Sequence, residues 1–203
     1  METVSVQNNR LSKQTLNKIV AHLKSGSVIV YPTETAYAVG GDALNKEVIK
    51  KIYAIKRRSV KLPLPVIVGD LKQARKFVMF NSPSLLLAKK FWPGALTLVL
   101  KKKKNIPAML TARKPSLAVR VSGNKIARTI ADELGRPIIS TSANQSKGKE
   151  CYSVSAIKKQ IHGFDQKIDL VVDAGKLPEV KPSTIVKVAS SKIIILRKGS
   201  VVV

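Results

Sequence analysis

Anion handling is the chemistry that the residue types of this chain suggest first. Lys56 and Arg58 stand one residue apart at the end of a stripe formed by Val48, Ile52 and Ile55. There they could complement the negative end of a helix or reach out to triphosphate oxygens. Arg120 sits in Leu117-Ala118-Val119-Arg120-Val121, where alternation gives Leu117, Val119 and Val121 one sheet face and Arg120 the other. An arginine in so apolar a strand needs an anionic partner, either a structural carboxylate or a bound carboxylate or phosphate clasped by its planar guanidinium. With only 12 Asp+Glu in the chain, the balance favours a ligand. Ser140-Thr141-Ser142-Ala143-Asn144 gathers hydroxyls and an amide just after an apolar run, which suits either phosphate oxygens or a plain turn. Thr33-Glu34-Thr35 follows Pro32 at the end of another run, a place where loops carry function and polar turns are also common.

Other chemistries find less material. There is no G-x-x-x-x-G-K-[ST] phosphate loop, and Gly40-Gly41 do not make G-x-G-x-x-G, so a nucleotide site would be of another type. His22 and His162 lack metal-ligand spacing, and Cys151 has no partner cysteine. A lone cysteine reads as a small buried filler.

The elements that must position these residues follow from periodicity. Ser12 caps a helix whose Leu16, Ile19, Val20 and Leu23 share a face, and Gly26 stops it before a strand over Ser27–Tyr31. A second helix starts near Asn45 and ends in Lys56-Arg57-Arg58, ahead of a buried strand over Leu64–Val68. Helical patterns at about Leu71–Val78 and Ser84–Phe91 precede the break Trp92-Pro93-Gly94 and a strand over Ala95–Leu100. After the strand at Leu117–Val121 comes a helix from about Asn124 to Leu134, ended by Gly135, and a short strand over Pro137–Ser140. A helix near Val154–Ile161 and strands at Leu170–Asp173, Thr184–Val188 and Ile193–Arg197 complete the chain. The last two strands are only a short turn apart at Ser190-Ser191, which excludes a purely parallel βαβ sheet. The expected fold is α+β (mixed α/β), a twisted mixed parallel/antiparallel sheet flanked by helices, in a single domain over 1–203.

Composition agrees with a globule: 203 residues, 44% hydrophobic, with no apolar run near the roughly 18 residues of a membrane span. One cysteine and a polar N-terminus point to the cytoplasm. The 37 Lys+Arg give a formal net charge of +25, a field that attracts anions and either recruits RNA, concentrates nucleotide or only confers solubility. The run Lys101-Lys102-Lys103-Lys104 reads as a solvated strand end.

In order along the chain, Tyr31-Pro32-Thr33-Glu34-Thr35, Lys56-Arg57-Arg58 with Pro63-Leu64, Phe91-Trp92-Pro93-Gly94-Ala95-Leu96-Thr97, Leu117-Ala118-Val119-Arg120-Val121, Ser140-Thr141-Ser142-Ala143-Asn144, Pro182-Ser183-Thr184 and Leu196-Arg197 resemble the YrdC-like family of threonylcarbamoyl-adenylate synthases. The match covers about residues 12–199, and the ordered set, above all the K-x-R and S-x-N elements, carries the specificity. The resemblance implies a YrdC-like fold and a nucleotidyltransferase that condenses L-threonine, bicarbonate and ATP, releasing pyrophosphate. A separate transferase complex then moves the threonylcarbamoyl group to a tRNA adenosine beside the anticodon. By matching positions, Thr35, Arg120 and Ser183 would hold the threonine; Lys56, Arg58, Ser140, Ser142, Asn144 and Arg197 would surround the ATP. Magnesium is expected with the nucleotide, with no dedicated metal cage in the chain and no protein nucleophile.

Three departures bear on that carry-over. Ala38 stands where a glycine is usual, Gln145-Ser146-Lys147 replaces leucine-serine-glycine, and Val66-Ile67-Val68 lacks a histidine that some members place near the threonine. The chain resembles the family's short form. The competing expectation is a non-catalytic RNA-binding module of the same fold, and a third is a relative acting on carbamoyl phosphate, disfavoured because such relatives carry extra domains.

Overall fold

The computed structural model describes residues 1–6, 9–146, 148–189 and 192–203. Its helices begin where side chains can take up free backbone N–H groups. Ser12 accepts from Thr15 N at the start of α1 (Lys13–Lys24), and Asn45 from Glu47 N and Val48 N at α2 (Lys46–Ile55). Asn124 does the same for Ile126 N and Ala127 N at α5 (Lys125–Leu134), which ends on left-handed Gly135. Between them, Asp70 caps the short α3 (Leu71–Ala74) and a capping box on Asn81 opens α4 (Ser82–Phe91). The helix expected over 71–78 is thus one turn followed by irregular chain. Past α5 come α6 (Val154–Gln160) and α7 (Phe164–Lys167).

The strands are β1 (Glu2–Ser5), β2 (Ile29–Pro32), β3 (Tyr37–Gly40), β4 (Val66–Val68), β5 (Leu96–Lys101), β6 (Ser116–Val121), β7 (Ile138–Ile139), β8 (Thr141–Ser142), β9 (Leu170–Asp173), β10 (Thr184–Ala189) and β11 (Lys192–Arg197). They are mixed in direction as expected but form two sheets instead of one, in the orders β1-β9-β2-β3-β8 and β11-β10-β5-β6-β4-β7. Four pairs are parallel (β1/β9, β2/β9, β10/β5, β4/β6) and five antiparallel (β2/β3, β3/β8, β5/β6, β4/β7, β10/β11) among the described residues. The turn expected at Ser190-Ser191 lies outside the described residues.

Period-two alternation distributes the apolar side chains between two clusters. On β2, Val30 faces one cluster while Ile29 and Tyr31 face the other; on β4, Val66 and Val68 oppose Ile67; on β9, Val171 opposes Leu170 and Val172. The second cluster is closed by Leu16, Ile19, Val20 and Leu23 of α1 against Ile126, Ile130, Ala131 and Leu134 of α5. Each large aliphatic side chain buried there contributes roughly 1.5–3 kcal/mol.

The sheets meet where β7 and β8, separated only by Ser140, belong one to each. At that seam Gly40 lies so close to β7 that a Cβ would stand 2.0 Å from the Ile139 carbonyl oxygen. The Tyr31 hydroxyl donates to the same carbonyl at 2.9 Å. A side chain at position 40 would push the two sheets apart.

Candidate active site

A cleft of about 340 Å³ opens along this seam. Its wall includes Thr35, Arg58, Arg120, Ser140, Ser142, Ser183 and Arg197, seven residues that the sequence singled out. The other two candidates, Lys56 and Asn144, lie behind it.

The K-x-R spacing acquires a physical reason from the end of α2. Arg58 N donates to Tyr53 O at 3.0 Å and Arg57 N to Ala54 O at 3.1 Å, the crossed pair of bonds of a Schellman motif. Arg57 takes the left-handed position at φ 47°, where glycine is usual. That turn sends Lys56 inward and Arg58 to the cleft. Arg58 Nη2 donates to Pro63 O at 3.2 Å, while its buried Nε has no hydrogen-bond partner among the described residues. Burial disfavours the charged guanidinium and lowers its pKa. An anionic oxygen arriving in the cleft would relieve both costs.

Lys56 turns its ammonium to the Ser142–Asn144 segment. It is 1% exposed, and its ammonium donates to Ser142 O, to Asn144 O at 2.7 Å and to Asn144 Oδ1 at 3.1 Å. Asn144 Oδ1 also accepts from Ser142 Oγ at 2.7 Å, and Asn144 Nδ2 donates to Gly148 O at 2.6 Å. Lys56 therefore fixes the loop that presents Ser140 and Ser142. Burial, aided by the nearby Arg58 charge, lowers its pKa to about 8. Lys147, one of the residues that departs from the family pattern, lies outside the described residues.

Of the two kinds of partner expected for Arg120, the structure shows the carboxylate: Nη1 donates to Glu34 Oε1 at 2.6 Å, and Ser122 Oγ donates to Glu34 Oε2. Scarcity of acids was a poor guide because Glu34 comes from the turn after β2, on the other sheet. Burial pushes the Glu34 carboxyl up, but the Arg120 charge, the Ser122 hydroxyl and the Gly123 N–H together hold it below its usual value. Since a guanidinium has five N–H donors, the ion pair leaves Arg120 able to offer others to the cleft. Thr33 shapes this corner: Thr33 Oγ1 donates to Ala36 O at 2.6 Å and accepts from Thr35 N at 3.2 Å.

On the opposite wall Arg197 Nε and Nη2 fork onto Ser183 O at 3.0 and 2.8 Å, and Nη2 also reaches Ser183 Oγ at 3.0 Å. Ser183 Oγ is 2.9 Å from Thr97 Oγ1. Burial lowers the Arg197 pKa, against the stabilising charge of Glu150. Glu34, Thr97 and Glu150 are the site residues that sequence reasoning passed over. Thr33-Glu34-Thr35 was a signal for the first and the segment Phe91–Thr97 for the second; nothing local marked Glu150.

Three guanidinium groups, a set of hydroxyls and walls of Val66, Val99 and Ile185 make a cleft suited to a ligand with several negative charges and a small apolar part. Among the described residues no three His, Cys, Asp or Glu side chains are grouped to hold a metal ion, and Cys151 is a buried filler of the first cluster.

The chain matches the Sua5_yciO_yrdC family model, described as telomere recombination, over residues 21–199. A Methanocaldococcus jannaschii relative is 33% identical over 192 residues, covering 95% of this chain and 89% of that one. A Pseudoalteromonas translucida relative named threonylcarbamoyl-AMP synthase is 32% identical over 186 residues, 89% of this chain and 97% of that one. The crystal structure of Pyrococcus abyssi Sua5 complexed with L-threonine matches at a TM-score of 0.91 and 28% identity, covering 98% of this chain. This chain spans 58% of the length of that Sua5 chain. With a family model matched over most of its length and the same strand-and-helix framework, the chain belongs to the Sua5/YciO/YrdC family.

Proposed function

We propose that the protein is an ATP-dependent L-threonylcarbamoyladenylate synthase, a nucleotidyltransferase that joins L-threonine, bicarbonate and ATP into threonylcarbamoyl-AMP and pyrophosphate. The observation that carries this reading is the meeting of Arg58, Arg120 and Arg197 around one cleft, with the Arg58 Nε buried and unpartnered among the described residues. The similarity to Sua5 complexed with L-threonine and to a relative named threonylcarbamoyl-AMP synthase supports the choice of substrates.

In this reading Arg120, held in orientation by Glu34, takes the threonine carboxylate, with Thr35 and Ser183 as hydroxyl partners. Arg58, Arg197, Ser140 and Ser142 face the triphosphate, and Lys56 with Asn144 keeps the Ser140–Ser142 segment in place. Bicarbonate and the threonine amine give a carbamate with loss of water. A carbamate oxygen then attacks the α-phosphorus and the bond to pyrophosphate breaks. Catalysis is by alignment and charge compensation, because the guanidinium groups are fixed before the phosphates arrive. Magnesium would arrive on the nucleotide with phosphate oxygens as its ligands; among the described residues the carboxylate on the cleft wall is Glu150, while Glu34 is already engaged by Arg120. The product would pass to a transferase complex acting on tRNA in the cytoplasm.

The deciding test is mass-spectrometric detection of threonylcarbamoyl-AMP, with pyrophosphate release, from purified protein, ATP, magnesium, L-threonine and bicarbonate. Product that requires all three substrates and is lost in Arg58→Ala supports the synthase. Salt-dependent RNA binding without turnover would favour the non-catalytic RNA-binding module that the +25 charge also allows.

A further inference from the structure

The strand β11 is out of keeping with the rest of the surface. Ile193, Ile194, Ile195 and Leu196 are 44–55% exposed, and β11 is the terminal strand of the six-stranded sheet, with β10 as its ladder partner among the described residues. An edge strand normally carries inward charges, proline or a bulge that blocks further pairing. Here the bulge lies between Ile185 and Val186 at one end of the hairpin, and the stretch from Ile193 to Leu196 holds neither proline nor charge. The charges are at its margins and all positive: Lys187, Lys192, Arg197 and Lys198 are exposed, and no acidic residue follows Glu179 in the sequence.

We propose that the free edge of β11 is a docking surface for an extended, acidic and aliphatic segment of a partner protein, which adds to the sheet as a further strand. Backbone pairing would supply affinity, the isoleucines would take alternate aliphatic side chains, and the flanking lysines would select carboxylates. A second copy of this chain fits less well: antiparallel pairing about the strand's centre sets Lys192 opposite the copy's Arg197, like charges face to face. An RNA strand finds no aromatic side chain on the β10–β11 hairpin to stack on. Leu196 and Arg197 also line the cleft, so the docked segment lies beside its mouth. The surface does not depend on the chemistry proposed for the cleft.

The test is hydrogen exchange of the β11 amides in the full chain, titrated with a synthetic ten-residue peptide alternating valine and glutamate. At a peptide concentration about ten times its Kd, the outward amides of β11 should exchange about tenfold more slowly, with α5 amides unchanged. The same peptide with lysine for glutamate, or with alternate residues N-methylated, should give no protection. Ile194→Lys should weaken binding about fivefold or more without altering melting temperature or turnover, and Ile194→Thr should weaken it less. Absence of protection overturns the proposal, as does equal protection by the lysine peptide. Protection of β11 arising instead from dimerisation, from an RNA oligonucleotide or from anionic vesicles, with none from the glutamate peptide, also overturns it.

Discussion

Arg120 and Lys56 resemble each other as buried cations but are held by opposite means. Arg120 is neutralised by Glu34, whereas the Lys56 ammonium donates to carbonyl and amide oxygens. Arg120→Ala should raise the KM for threonine about 100-fold, the worth of a lost charge-assisted pair with carboxylate, while the KM for ATP changes by no more than about threefold; pyrophosphate release measures both. Equal damage to the two would place Arg120 elsewhere. The lysine makes a prediction in pH. In the folded protein it loses its proton near pH 8, whereas the unfolded chain keeps it until about 10.5. Between these values the unfolded state binds more protons, so this group makes folding more favourable as pH rises. The neutral amine nevertheless has one donor fewer for the loop. Turnover should therefore fall with a midpoint near pH 8 while the melting temperature shows no loss from this group, and the Lys56 ¹³Cε shift should titrate with the same midpoint. A ¹³Cε midpoint near 10.5 would sink the argument.

At the scale of elements, the turn after α2 holds a residue in a conformation that its side chain disfavours. Arg57 at φ 47° carries a left-handed cost of about 1–2 kcal/mol. Arg57→Gly should raise unfolding stability by about 0.5–1 kcal/mol after the glycine's own entropy is counted, as read by urea denaturation, and leave turnover intact because Arg57 does not line the cleft. A loss of stability would mean that the arginine has interactions that outweigh its backbone strain. The helix itself was legible: Asn45, the stripe Val48, Ile52 and Ile55, and the basic end all announced it, as Asn124 and Gly135 announced α5. Those signals are local, a side chain answering a backbone group two or three residues away. β3 was not legible because Tyr37-Ala38-Val39-Gly40 is buried on both faces and shows no alternation, and β1 because Glu2–Ser5 is too short and polar to announce a strand. The Glu34–Arg120 pair escaped for a related reason: it joins residues 86 apart from different sheets.

For the whole molecule, the field of a +25 chain adds to the three arginines of the cleft. Raising ionic strength from about 0.05 to 0.5 M should increase the KM for ATP on the order of tenfold, because screening removes the long-range attraction. The KM for threonine, a zwitterion, should change far less; parallel shifts would point to salt acting on the fold. The apolar pattern along the sequence named most of the strands but not their division into two sheets, since pairs such as β2/β9 and β5/β10 join distant parts of the chain. That arrangement bears on how the protein is made. β2 is flanked by β3, its neighbour in sequence, and by β9, residues 170–173, while β1 has β9 as its ladder partner. During synthesis the β2–β3 hairpin leaves the ribosome early, yet the strand that must lie between β1 and β2 is still untranslated for most of elongation. The nascent chain carries the unpaired facing edges of β1 and β2 through that interval, and vectorial folding of the five-stranded sheet waits for β9.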